Sequence, residues 1–119
     1  MSIQSYRDLR VWQEAMTLAE LIYRLTKAFP KDELFGLTAQ MRRASVSIPA
    51  NIAEGYGRES TGAYVQFLRV SQGSLEELET HALLAARVGI LSEVDSANLL
   101  SQAEAIGKML RALIRSLEK

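Results

Sequence analysis

The chain has 119 residues, 48% hydrophobic and 24% charged, a length that builds one core and a composition that excludes a disordered or collagen-like polypeptide. Fourteen Lys and Arg balance fourteen Asp and Glu, so net charge carries no signature of a nucleic-acid binder. The absence of cysteine excludes disulfides, thiolate metal sites and cysteine nucleophiles, and fits a reducing, cytoplasmic setting.

The first residues, Met1 to Asp8, hold no apolar stretch behind a basic start. Aliphatic runs such as Ala82 to Ala86 fall far short of the ~20 residues of a membrane span, so neither export nor a membrane partner is expected.

The first helix is predicted over about 8–28. One apolar series is Leu9, Trp12, Met16, Ala19 and Tyr23; beside it runs Val11, Ala15, Leu18, Ile22, Leu25 and Phe29. Spacings of three and four are helical, and two adjacent seams make a face wide enough for two neighbours. Phe29-Pro30 supplies the stop, because proline disfavours the α conformation in the residue before it. A second helix is expected over 33–54, with Asp32 as N-cap, Gly36 as a break, and Leu37, Met41, Ala44, Ile48 and Ile52 as its apolar row. Pro49 lies inside this pattern and predicts a kink near Ser45 to Pro49 within one helix, with Gly55 as the terminator. The third helix spans about 61–88 and carries Tyr64, Phe67, Leu68, Ser71, Leu75, Leu78, Ala82 and Ala85, with Gly89 ending it. The fourth spans about 93–117, starts at a Ser92/Asp95 cap, and carries Val94, Leu100, Ala103, Gly107, Leu110, Ile114 and Leu117. No segment alternates with a period of two. Four helices with short connections predict an all-α, antiparallel up-down-up-down four-helix bundle, 1–119 forming a single domain.

Catalytic signatures are sparse. His81 is the only histidine and Leu78 stands three residues before it, so the Glu-x-x-His pairs of di-iron bundles are missing and no metal or cofactor is expected. No Gly-x-Ser-x-Gly turn or glycine-rich phosphate loop follows a strand. The sequence argues against an enzyme.

The second helix is more informative. At ~100° per residue, Gln40, Arg43, Ser47, Asn51 and Glu54 share a narrow stripe, with the large apolar row on one side and Ala39, Val46, Ala50 and Ala53 on the other. A polar line between two apolar faces predicts either a buried hydrogen-bond network, with Arg43, Asn51 and Glu54 bonded to another helix or subunit, or a partner-binding groove. The back of the third helix carries Val70, Gly73, Glu77 and Leu84 where a charged surface is usual. An interior glycine costs roughly 1 kcal/mol relative to alanine, which marks this face as a candidate subunit interface. Basic residues lean toward the first 75 positions, nine against seven acids, and Arg42, Arg43 and Arg58 are the candidates for phosphate contact. Any RNA binding they support is expected to be weak and salt-sensitive.

The wording of the chain carries a resemblance. Tyr6-Arg7-Asp8-Leu9-Arg10-Val11-Trp12-Gln13, Phe29-Pro30, Gly36-Leu37-Thr38 and Gln40-Met41-Arg42-Arg43-Ala44 are followed by Ser47-Ile48-Pro49-Ala50-Asn51-Ile52-Ala53-Glu54-Gly55, then Phe67-Leu68 and Gly73-Ser74-Leu75-Glu76-Glu77-Leu78-Glu79-Thr80. Together they resemble the 23S ribosomal RNA intervening-sequence proteins over nearly the whole chain. Ser71-Gln72 departs from a small residue followed by a basic one. The resemblance implies a helical bundle assembling as a homo-oligomer, typically a pentamer, with no known catalytic activity. Some relatives are encoded within interruptions of ribosomal RNA genes. A related group, accessory proteins of diversity-generating retroelements, binds nucleic acid and a reverse transcriptase but is strongly basic, unlike this neutral chain. The expected function is a non-enzymatic, homo-oligomeric interaction scaffold, the alternative an RNA-binding module associated with ribosomal RNA or a nucleic-acid-processing protein.

Overall fold

The computed structural model describes residues 2–119, which form α1 (Arg10–Thr26), α2 (Ala39–Tyr56), α3 (Thr61–Arg87) and α4 (Glu93–Leu117). No strand occurs among the described residues. α1 packs on α2 and α4, and α3 packs on the same two helices, closing a four-helix bundle of 44 × 23 × 22 Å.

The ends of α1 are set by hydrogen bonds that compete with its own ladder. Ser5 and Asp8 cap a separate 3-10 turn, Tyr6–Asp8, in which Asp8 Oδ2 accepts from the N–H groups of Gln4 and Ser5. Leu9 is extended, with ψ 124°, so α1 starts at Arg10 and not within that turn. At the other end the Thr26 hydroxyl donates to the Ile22 carbonyl at 2.7 Å, and the N–H groups of Ala28 and Phe29 bond three residues back. This tightening ends α1 at Thr26, ahead of Pro30. The inner series of α1 is buried through Val11, Ala15, Leu18 and Ile22, while Met16 and Tyr23 of the outer series stay exposed.

Between α1 and α2 the chain makes a 3-10 turn, Lys31–Glu33, and a wide π-type turn, Leu34–Thr38, with Gly36 outside helical φ/ψ. The break at Gly36 is the expected one. The capping is done by Glu33, however, whose Oε1 accepts from the Leu37 N–H at 3.1 Å; Asp32 is exposed. α2 then runs through Pro49 as one element and buries Met41, Ala44, Ile48 and Ile52.

Gly55 is not the terminator of α2, which continues to Tyr56 with Gly57 after it. A Cβ at Gly55 would stand 2.8 Å from the Phe67 Cβ, 3.0 Å from the Tyr64 Cδ1 and 3.2 Å from the Tyr64 carbonyl oxygen. Its missing side chain is what lets α2 and α3 touch there.

Ser60 caps α3 by accepting from the Ala63 N–H. The far end closes on Gly89, where φ is 78°: the Gly89 N–H reaches the Ala86 carbonyl and the Ile90 N–H the Ala85 carbonyl at 2.9 Å, the paired bonds of a left-handed helix stop. α4 starts at Ser92, whose hydroxyl accepts from the Asp95 N–H. Val94 is not part of the α4 seam; it is 78% exposed, and the seam runs through Leu99, Ala103, Ile106, Leu110 and Ile114. In the first turn the helix has yet to engage its neighbours, so helical spacing there does not mean burial.

Candidate functional site

The α2–α3 contact has a polar centre. Ser71 donates to the Ile48 carbonyl at 2.9 Å, fully buried, and the hydroxyls of Ser47 and Ser74 meet at 2.8 Å. Asn51 donates through Nδ2 to the Ser47 carbonyl at 2.8 Å and to the Ser47 hydroxyl at 3.0 Å. Ser47 thus accepts from Asn51 and still has a proton to give Ser74.

The predicted stripe divides at this point. Ser47 and Asn51 form the network, half-buried, whereas Gln40, Arg43 and Glu54 are exposed on the single chain. Arg43 makes no side-chain hydrogen bond or ion pair among the described residues, and Glu54 pairs only with Arg58, 3.8 Å away just past the end of α2. The expected bonding of Arg43, Asn51 and Glu54 to another helix is therefore corrected within this chain: Asn51 bonds inside α2, and neither Arg43 nor Glu54 bonds to another helix among the described residues. The sequence supplied the angular position of the stripe but not the partner serines, Ser71 and Ser74, which carry no distinctive spacing.

His81 lies on the same seam. It is 8% exposed, with Nε2 3.6 Å from the Glu77 carboxylate and Nδ1 buried without a hydrogen-bond partner. Burial pushes its pKa below the usual imidazole value; Glu77 opposes this shift and nearby Arg43 adds to it. The fold therefore holds His81 neutral. An unfolded chain takes up a proton near pH 6.5 that the folded chain resists, so the stability from neutral His81 is complete above that pH and is lost as pH falls through it. Melting temperature is expected to hold above about pH 6.5 and to drop as pH falls below it toward the lowered folded value, and His81→Leu to lessen that drop. An unchanged slope in the variant would place the acid sensitivity elsewhere. His81 bonds to no serine, and no cluster of three His, Asp or Glu suited to a metal occurs among the described residues.

Two apolar surfaces lie on the outside. Along α3, Val70 is 49% and Leu84 48% exposed, Glu77 projects into solvent, and a Cβ placed on Gly73 would meet nothing within 4 Å. Between α1 and α2 a groove is floored by buried Ala19 and Pro49 and edged by Met16, Tyr23 and Val46. The candidate phosphate-binding arginines do not converge. The Arg42 guanidinium lies over the Tyr23 ring at 4.7 Å, and the Arg58 guanidinium over Phe67 at 4.8 Å. Arg42 lies near the start of α2 and Arg58 just beyond its end, with about 21 Å of helix from Arg42 to Tyr56 between them.

Bundle topology, a hydroxyl-lined seam and two exposed apolar faces define the class: a helical-bundle protein whose unpartnered features lie on its surface. The family described as 23S rRNA-intervening sequence protein matches residues 7–112, and the chain belongs to that family. Its fold is similar to the crystal structure of a protein with unknown function from the S23 ribosomal protein family of Bacteroides thetaiotaomicron, with TM-score 0.82 and 23% sequence identity over 87% of this chain and 97% of that one. No curated protein matches the chain. No helix among the described residues is long and apolar enough to cross a membrane.

Proposed function

We propose that the protein is a non-enzymatic, homo-oligomeric scaffold in which the outer face of α3 from one subunit packs against the α1–α2 groove of the next. The observation that supports this reading most is Gly73. It sits in the interior of a 27-residue helix, touches nothing, and lies between half-exposed Val70 and Leu84. A mid-helix glycine costs roughly 1 kcal/mol and has no compensating contact inside the chain, so the close approach it permits comes from outside. The groove edged by Met16, Tyr23 and Val46 is the apolar counterpart on a different side of the bundle. Contacts between two different surfaces are heterologous, and heterologous contacts form a ring when the rotation between subunits closes. The resemblance to ring-forming relatives favours five members. Light scattering coupled to size exclusion is expected to give a particle of about 66 kDa, against 13.2 kDa for one chain. A monomer mass at micromolar concentration would refute the scaffold reading.

A further inference from the structure

We propose that the cavity at the end of the bundle where α1 passes to α2 binds a small amphipathic anion, an oxyanion carried on an apolar body. This goes beyond the oligomeric scaffold and does not depend on it. The cavity measures about 460 Å³, within the range of small-molecule sites. Its apolar wall is formed by buried Phe29, exposed Pro30 and half-exposed Leu34, and its polar wall by Lys27, Lys31 and Arg42. No carboxylate lines it. Of the two acids in the same connection, Glu33 has one carboxylate oxygen engaged by the Leu37 N–H, and neither Glu33 nor Asp32 is part of the lining.

Arg42 is the centre of the argument. Its Nε donates to the Thr26 hydroxyl at 2.9 Å, and its guanidinium stacks 4.7 Å from the centre of the Tyr23 ring. The Thr26 oxygen is itself fixed by donating to the Ile22 carbonyl. The guanidinium is thus held in place by two groups of α1, yet it forms no ion pair among the described residues. Five N–H donors are available and one is used, which leaves the terminal fork free for the two oxygens of a carboxylate or phosphate. Because the side chain is already ordered, little conformational entropy remains to be lost on binding.

Thr38 is the second, independent observation. It is 4% exposed and lines the cavity, and its hydroxyl, open to the cavity, makes no hydrogen bond among the described residues. A polar side chain at that depth without an internal partner is a donor for whatever enters. Charge, hydroxyl and apolar wall together fit an anion with an apolar body better than a bare ion or a neutral hydrocarbon.

The test is amide-resolved NMR titration of the full chain with 2-naphthoate, 2-naphthyl phosphate, 2-naphthylmethanol and inorganic phosphate. Both naphthyl anions are expected to shift residues 26–42 saturably, and their relative affinities decide between carboxylate and phosphate. The neutral alcohol and inorganic phosphate are each expected to bind at least about tenfold more weakly, since a charge-assisted hydrogen bond or an apolar wall contributes on that order. Arg42→Gln is expected to cost about tenfold or more in affinity for the naphthyl anions. Lys31→Glu, at an exposed position that the fold does not need, reverses a charge and lowers affinity by a smaller factor, and provides the readout should Arg42→Gln unfold. Equal binding of alcohol and anion, shifts outside residues 26–42, absence of saturation, or full affinity in the well-folded variants would each overturn the proposal.

Discussion

Gly73→Arg is expected to leave the chain folded and, on the proposed scaffold, to leave it at the mass of one subunit. The reasoning has two halves. Within the chain a side chain at Gly73 meets open space, and replacing a mid-helix glycine with a good helix former adds roughly up to 1 kcal/mol of helix stability. Against a neighbouring subunit the same side chain fills the gap that permits close packing and buries an unpaired charge. That change costs several kcal/mol, and each 1.4 kcal/mol is about tenfold in affinity, so association should weaken by at least about 100-fold. Gly73→Ala should weaken association less while raising the melting temperature of the isolated chain. An assembly of unchanged mass and affinity in Gly73→Arg would remove the α3 face from the interface.

Gly55→Ala is expected to act in the opposite way, against the fold itself. The new methyl would stand 2.8 Å from the Phe67 Cβ and 3.2 Å from the Tyr64 backbone oxygen, neither of which can swing aside as a flexible side-chain end would. Overpacking of this kind costs about 1–3 kcal/mol, and the better helix propensity of alanine returns roughly 1 of it. A net loss of about 1 kcal/mol lowers the melting temperature by roughly 3–6 °C in a chain of this size. Calorimetry settles the matter, and a melting temperature at or above that of the parent would mean α2 and α3 do not approach as described. The two glycines look alike as letters in amphipathic helices, yet one is closed in by its own chain and the other by nothing.

That contrast shows what could be read from residue order and what could not. The four helices, the inner seam of α1, the row Met41-Ala44-Ile48-Ile52 and the stop at Gly89 follow from period and local chemistry, which are properties of neighbours in sequence. Gly55 was expected to end α2 because a glycine after a helical run commonly does; its true role depends on Phe67 and Tyr64, twelve and nine residues on. Val94 had the right spacing but lay in a first turn with nothing to pack against. Gln40, Arg43 and Glu54 share an angle with Ser47 and Asn51, but only the middle of that line meets an α3 hydroxyl that can bond to it. Helical angle is local information, whereas burial depends on where the next helix crosses. The Arg42 cavity escaped notice for the same reason, since Thr26, Thr38 and Arg42 come together only through an irregular connection that no periodicity describes.

The buried bond from Ser71 to the Ile48 carbonyl also bears on the order in which the molecule opens. With the neighbouring Ser47–Ser74 pair and, farther along, the Gly55 contact it ties α2 to α3 at two levels, while α1 is held to α2 across its outer edge by the Arg42 contacts with Thr26 and Tyr23 apart from apolar contact. Segments joined by buried hydrogen bonds open together and last. Native-state amide exchange should accordingly find its slowest protons in the facing halves of α2 and α3, with α1 exchanging earlier as a separate unit. The helix that lines the outer groove is then also the one able to loosen without dismantling the rest.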